Sequence, residues 1–119
     1  MKDKSVFWNL ELSIKPGKLD DLKSLAGEMS DATKTNEPNA IDYVWSIDGD
    51  NNECHIFERY MDSDAVRTHL GNFQAFAERF FDCMDIKAFN VYGNPDPALI
   101  EAMSAMGCRF YGRFSGFER

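Results

Sequence analysis

One histidine of this chain, His69, lies on the apolar side of a segment with helical spacing. The apolar residues three, four, seven and eleven positions away share that side of a helix; they are Val66, Phe73, Phe76 and Phe80. An imidazole takes up and releases protons near neutral pH, so His69 is a candidate catalytic residue. A structural residue bonded to the sheet, with Glu58 as its expected partner, fits the same pattern, and the sequence leaves both interpretations open.

Several aromatic residues are candidates for a ligand pocket. A pocket of aromatic side chains suits a planar ligand, and a tyrosine or tryptophan can stabilise an enolate through a hydrogen bond. The residues that we predict to bind substrate are Trp45, Tyr60, Tyr43 and Phe73. Aromatic residues in strands are also common core residues, so this prediction competes with simple packing.

The elements that would position these residues follow from the spacing of apolar side chains. Residues 6–14 alternate as a strand, and residues 41–47 and 54–60 alternate on either side of a turn, which is typical of a β-hairpin. Helical spacing runs from Leu19 to about Asn36 and again after Asp62, and residues 86–93 form a fourth strand. The order β-α-β-β-α-β predicts an α+β, ferredoxin-like split βαβ fold, in which four antiparallel strands carry two helices on one face.

The second helix carries its own prediction. Gly71 and Asn72 should interrupt it, because glycine costs roughly 1 kcal/mol relative to alanine inside a helix and asparagine favours turns and caps. A break there would open the helix beside His69.

The other face of the sheet needs a cover. Bulky residues lie on both sides of the strands; for example, Phe7 and Trp8 point to opposite sides of the first strand. A sheet with one side open to water would not favour this. We therefore predict a homodimer joined through the sheet face opposite the helices. Residues 1–92 are predicted as the main domain. Residues 93–119 are predicted as its C-terminal extension, with a helix from Asp96 to Met106 and a strand over residues 108–117.

Charge and composition exclude several functions. The 119 residues include 13 basic and 20 acidic ones, for a formal charge of −7, which disfavours nucleic acid and anionic membrane surfaces as partners. No apolar run approaches the roughly twenty residues of a spanning helix, so a cytoplasmic protein is expected. The three cysteines are far apart and match no zinc-site spacing, which predicts buried thiols and no metal site.

Three segments together resemble the antibiotic biosynthesis monooxygenase domains of the dimeric α/β barrel superfamily. They are "KPGKLDDL", "EPNAIDY" and above all "FERYMDSDAVRTHLGNF", and the resemblance covers about residues 6–92. It implies two ferredoxin-like subunits packed sheet to sheet, each with a mostly apolar pocket between its sheet and its helices. It also places His69 where the family commonly has a histidine.

The resemblance adds a second catalytic candidate, Asn9. This residue falls where the haem-degrading branch of the family has a pocket asparagine, which implies a hydrogen bond to a bound oxygen or carbonyl. That branch also uses a Trp and a His on the second helix. Here His69 occupies the Trp position and the His position falls near Glu78 or Arg79, so the haem set is incomplete and no cofactor is expected.

Members of the family that this chain resembles differ in their chemistry, and the leading hypothesis is a cofactor-independent monooxygenase that oxidises a small phenol or quinol-type substrate with molecular oxygen. In this hypothesis His69 takes the substrate proton and Asn9 helps to stabilise the anion, so both should border one cavity. Two alternatives stay open. One is a non-catalytic dimeric protein that binds a small molecule, and the other is an isomerase of a small hydroxy-ketone.

Overall fold

The computed structural model describes residues 3–119, so the first two residues of the predicted 1–92 domain lie outside the described part. This part forms six strands and four helices. In chain order they are β1 (Val6–Ile14), α1 (Leu19–Asn36), β2 (Ala40–Asp48), β3 (Glu53–Tyr60), α2 (Ser63–Phe73), α3 (Ala77–Cys83), β4 (Met84–Ala88), β5 (Asn90–Gly93), α4 (Pro97–Ser104) and β6 (Arg109–Gly112).

The strands form one sheet in the order β2-β3-β1-β5-β6, and β4 also pairs with β1. Strand β1 is antiparallel to β3, with Trp8 opposite Glu58 and Leu10 opposite Ile56. The predicted α+β, ferredoxin-like fold is confirmed. The prediction of four antiparallel strands is too simple, because β6 pairs parallel to β5 and makes the sheet mixed.

The predicted fourth strand divides in two. Strand β5 pairs with residues 6–8 of β1 and strand β4 with residues 11–14, and the β1–β4 register shifts between Glu11 and Leu12. Phe89 lies between the two strands and packs its ring against Trp8, with 5.2 Å between centroids.

The core lies between the sheet and the helices. Alternate residues of β1, from Val6 to Ile14, are buried, and so are the α1 residues at helical spacing: Leu22, Leu25, Met29 and Thr33. Three residues of the C-terminal extension belong to the same core: Leu99 and Met103 of α4, and Cys108 immediately before β6. The three cysteines are buried and free, as predicted.

The second helical segment is interrupted, as predicted. Helix α2 ends at Phe73, and the next backbone bonds span three residues instead of four: Gln74 N–H to Gly71 O at 3.3 Å and Ala75 N–H to Asn72 O at 3.4 Å. Gly71 and Asn72 themselves stay helical, so the break follows them instead of falling on them.

The C-terminal extension contains the predicted helix in a shorter form. The Asp96 carboxylate caps α4 by accepting from Leu99 N–H at 2.8 Å. The helix ends where Gly107 takes a left-handed φ of +86° and Cys108 N–H reaches Met103 O at 3.2 Å, which is a Schellman motif. The strand that follows covers four residues, 109–112, and not the predicted 108–117.

Across residues 3–119, every helix is too short or too polar to cross a membrane.

Candidate active site

His69 is the centre of a buried chain of polar groups. It lies on α2, is 6% exposed, and its Nδ1 donates to Glu37 Oε1 at 3.0 Å. Its Nε2 lies 3.3 Å from Glu58 Oε1. Glu37 ends α1, immediately before Pro38, and Glu58 is on the helix-facing side of β3. The imidazole therefore bridges two carboxylates from different elements.

Two further residues complete the polar chain. The Tyr60 hydroxyl donates to Glu58 Oε1 at 2.6 Å, and Asn72 Nδ2 donates to Glu37 Oε2 at 3.3 Å. The rings of Tyr43 and Tyr60 flank the imidazole, with centroids 5.4 and 5.0 Å away. These contacts fix the orientation of His69 from both sides.

The two carboxylates determine the charge of His69. Burial alone would lower its pKa, but hydrogen bonding and attraction to Glu58 and Glu37 outweigh burial, so the pKa lies above its ordinary value. Burial, together with the Glu58 charge, raises the pKa of both Tyr43 and Tyr60, which keeps these phenols neutral. A raised pKa favours the protonated form of His69, and the carboxyl groups of Glu37 and Glu58 are the other groups beside it that can accept a proton.

A cavity of about 60 Å³ borders this chain. Its polar wall is made by Glu58, His69 and Tyr43, and the rest is apolar or aromatic: Trp8, Leu10, Met29, Ile56, Leu70, Phe73, Phe80, Phe81, Ile86, Phe89 and Met106. The indole N–H of Trp8 is buried and has no hydrogen-bond partner among residues 3–119. A buried donor without an acceptor is uncommon, and the indole N–H of Trp45, which does not line this cavity, is in the same state.

A second, more polar cleft lies on the other side of His69. It measures about 280 Å³ and runs between α1 and the α2–α3 break. Its polar lining residues are Thr33, Asn36, Glu37 and Asn72, and it shares Met29, His69 and Phe73 with the apolar cavity. His69 thus stands in the wall between an apolar cavity and a polar cleft.

The predicted substrate-binding residues divide into three groups. Tyr43 and Phe73 line the apolar cavity. Tyr60 lines neither the cavity nor the cleft, but its hydroxyl bonds Glu58 and its ring packs against His69. Trp45 packs against Tyr43 and Phe80 at 6.1 and 6.3 Å, outside the lining of both spaces around His69 in the described part of the chain.

The prediction that one cavity joins His69 to Asn9 is wrong for this chain. Asn9 is exposed on the opposite face of the sheet, where its Nδ2 lies 3.2 Å from His55 Nδ1. The alternation of β1 separates it from the site, because its neighbours Trp8 and Leu10 face the helices. The catalytic role of Asn9 stays a prediction without a place in the site described above.

Glu37 is the functional candidate that the sequence analysis missed. It is the residue that caps the C-terminal end of α1, and its carboxylate meets His69 of α2 across 32 residues of sequence. The available signal was weak: an acidic residue next to Pro38, at the end of an apolar helix stripe.

One group of side chains among residues 3–119 has the composition of a metal site. Ligand atoms of Glu11, Glu53 and His55 lie within 4.8 Å of one another on the face of the sheet away from the helices. Lys87 Nζ already contacts Glu53 at 2.6 Å, and His55 Nε2 contacts the same residue at 2.7 Å. These partners satisfy the carboxylate without an ion, and the group is far from Glu58 and His69 in the fold because it lies on the other side of the sheet.

Comparison with protein families identifies the family of this chain. The family model described as antibiotic biosynthesis monooxygenase matches residues 5–85, which is more than half of the chain. Comparison with curated proteins gives no significant match.

Solved structures share the fold. MupZ from Pseudomonas fluorescens is 21% identical, with a TM-score of 0.87 over 98% of this chain and 95% of its own. SnoaB from Streptomyces nogalater, described as a cofactor-independent oxygenase, is 16% identical, with a TM-score of 0.61 over 71% of this chain and 87% of its own. Rv0793 from Mycobacterium tuberculosis is 20% identical, with a TM-score of 0.63 over 79% and 98%. Of these three, MupZ is the one whose alignment spans the C-terminal extension almost completely.

Proposed function

We propose that this chain, which belongs to the antibiotic biosynthesis monooxygenase family, is a cofactor-independent monooxygenase that oxidises a small phenol or quinol-type substrate. The observation that carries the proposal is the Glu37–His69–Glu58 chain at the polar wall of an apolar cavity. The fold shared with the cofactor-independent oxygenase SnoaB supports it.

Glu58 is the proposed general base. It lines the cavity, and His69 and Tyr60 both contact its Oε1, which leaves Oε2 for the substrate hydroxyl. The His69 side chain, which lines the same cavity, then stabilises the charge of the new phenolate. This assignment moves the role of base from His69, where the sequence placed it, to its carboxylate partner.

The reaction needs no redox group from the protein. A phenolate is rich in electrons and reacts with oxygen, so that one oxygen atom becomes a ring carbonyl and the other leaves as water with the two hydrogens of the substrate. One oxygen molecule is consumed per quinone formed. The protein removes one proton, holds the anion and returns a proton to the departing oxygen.

An isomerase of a small hydroxy-ketone is the second candidate. A specific feature favours it: Glu58 and the His69 imidazolium place a base and an acid within 3.3 Å of each other, as a proton shift between neighbouring carbons requires. Such a reaction consumes no oxygen. A protein that only binds the ligand would need neither group.

The test is oxygen uptake with hydroquinones and naphthols, comparing the parent with Glu58→Gln and Glu53→Gln. Both changes are on β3, but Glu53 faces away from the helices and so serves as the matched control. We expect Glu58→Gln to lower turnover by about 10² to 10⁴ per folded molecule and Glu53→Gln to leave it unchanged. Glu58-dependent conversion of a hydroxy-ketone without oxygen uptake would replace the monooxygenase with the isomerase. Binding without any conversion would favour a binding protein.

We also propose that the chain assembles as a homodimer through the face of the sheet away from the helices. Large apolar residues are exposed on that face, including Val44 at 51% and Phe57 at 38%, and contiguous apolar patches are typical of interfaces. Sedimentation equilibrium of the parent and Phe57→Arg tests this. A dimer that Phe57→Arg converts to a monomer supports the proposal, and a monomeric parent at micromolar concentration contradicts it.

A further inference from the structure

The apolar cavity holds only part of a substrate. Its volume of about 60 Å³ is small beside the roughly 300–1,000 Å³ of typical ligand pockets. The reactive end of a phenol can approach Glu58 there, so the rest of the molecule has to lie further out along the cavity wall.

The outer wall of the cavity is a set of half-exposed apolar side chains. Phe81, Ile86 and Met106 all line the cavity and are 44%, 41% and 50% exposed, so the cavity reaches the surface between them. We call these three residues the apolar rim. They come from α3, β4 and the turn after α4, so three separate elements converge on one opening.

The charges around the cavity restrict the ligand further. Neither the cavity nor the neighbouring polar cleft has a Lys or Arg among its described lining residues. His69 is already paired with the carboxyl groups of both Glu37 and Glu58. A carboxylate or phosphate on the substrate would have no cation of its own to pair with.

We propose that the substrate is an uncharged amphiphile, whose oxygen-bearing head reaches Glu58 and His69 while a hydrocarbon tail lies on the apolar rim, with Met106 as a specificity-determining residue. The inference rests on the proposed function for the identity of the head group. The tail and its contacts follow from the rim alone.

Met106 is positioned by a defined local structure. The Schellman motif at the end of α4, with Gly107 in the left-handed region, turns the chain so that Met106 stands at the opening. Methionine is unbranched and flexible, which suits contact with alkyl chains of different shape. Met106 belongs to the C-terminal extension, beyond the residues 5–85 that the family model matches. The extension therefore adds a substrate contact to the common fold.

Calorimetric titration with phenol and with 4-ethyl-, 4-butyl- and 4-hexylphenol tests the inference on the intact protein. We expect affinity to rise by up to about fourfold for each methylene that reaches the rim. The anion 4-hexylbenzoate should bind at least about tenfold more weakly than 4-hexylphenol.

Two methionine variants test the role of the rim. Met106→Gln should weaken binding of 4-hexylphenol by about tenfold and leave phenol unaffected. Met61→Gln is the matched control, because Met61 is 49% exposed but lines neither the cavity nor the cleft. Melting temperatures establish that both variants are folded, and Ile86→Thr repeats the test from a second side of the rim.

An affinity that does not change with chain length would overturn the inference, as would equal binding of the benzoate or an equal loss in Met61→Gln. These results are separable from the proposed function. Chain-length-dependent binding without oxygen uptake contradicts the monooxygenase and leaves the amphiphile site standing. Oxygen uptake together with affinities that do not change with chain length supports the monooxygenase and contradicts the amphiphile site.

Discussion

Each face of the sheet carries a histidine next to glutamates, and the two groups differ mainly in burial. On the helix-facing side, His69 meets Glu37 and Glu58, and these side chains are 7% exposed or less. On the other side, His55 lies 2.7 Å from Glu53 and 4.0 Å from Glu11, with roughly a third of each side chain exposed. The residue types are the same, so the comparison isolates the effect of water.

Exposure to water determines what each group can contribute to stability and to chemistry. An exposed ion pair contributes little, because solvent screens the charges and the side chains lose freedom when they pair. A buried pair has to be complete, since a single charge left without a partner is costly. The pKa of the buried His69 is raised by its two carboxyl partners against the effect of burial, and perturbed pKa values are common at proton-transfer sites. The buried group on the helix-facing side must therefore stay complete for the fold to be stable, and it can take part in proton transfer. Neither statement holds for the exposed group on the other side.

Replacing each histidine by leucine should separate the two faces most strongly. His69→Leu leaves Glu37 and Glu58 buried without their cation, and we expect the free energy of unfolding to fall by about 3–5 kcal/mol at neutral pH. His55→Leu should leave it nearly unchanged. Urea denaturation of both variants measures the difference. Equal, small effects would mean that His69 is not held by the two carboxylates.

Removing one tyrosine hydroxyl from each face should give a smaller difference in the free energy of unfolding. Tyr60→Phe deletes the buried donor to Glu58 Oε1, and we expect a loss of about 1.5–3 kcal/mol, the usual range for a hydrogen bond to a charged group. Tyr92→Phe, on the outer face and 38% exposed, is the control and should be neutral. A neutral Tyr60→Phe would show that Glu58 does not depend on that bond.

The smallest expected effect is a pH dependence of stability. The pKa of His69 is higher in the folded protein than its ordinary value of 6.5, so the folded state binds this proton more tightly than the unfolded chain. The resulting stabilisation is complete below about pH 6.5 and is lost as the pH rises through the folded pKa. Urea denaturation of the parent and His55→Leu between pH 6 and 9 should give the same downward slope. If the slope disappears in His55→Leu, the pH dependence comes from His55 on the outer face and not from His69.

The fold could be predicted from the sequence because its signals are local. The alternation of β1 and the 3.6-residue spacing of α1 each specify an element and its buried face without reference to the rest of the chain. The break after Gly71 and Asn72 was also a local signal. The parallel pairing of β6 with β5 could not be predicted from local signals, because a strand of four residues does not indicate which edge of the sheet it joins.

The site was only half predictable, for the same reason. His69 and its partner Glu58 could be named because both stand out against apolar neighbours on their own elements. Glu37 could not be assigned, because its contact with His69 joins the end of α1 to α2 across 32 residues of sequence, and no local pattern indicates such a contact. Asn9 was placed in the site by resemblance to the family, although the alternation of β1 already put it on the face opposite Trp8.

The protonation of His69 tests the central claim most directly. Nitrogen-15 NMR of histidine-labelled protein at pH 7 reports whether each ring nitrogen carries a hydrogen, and His55→Leu simplifies the spectrum to one histidine. We predict that both Nδ1 and Nε2 of His69 are protonated, which makes the residue an imidazolium and leaves Glu58 as the base. A neutral imidazole with one unprotonated nitrogen at pH 7 would contradict this and return the role of base to His69.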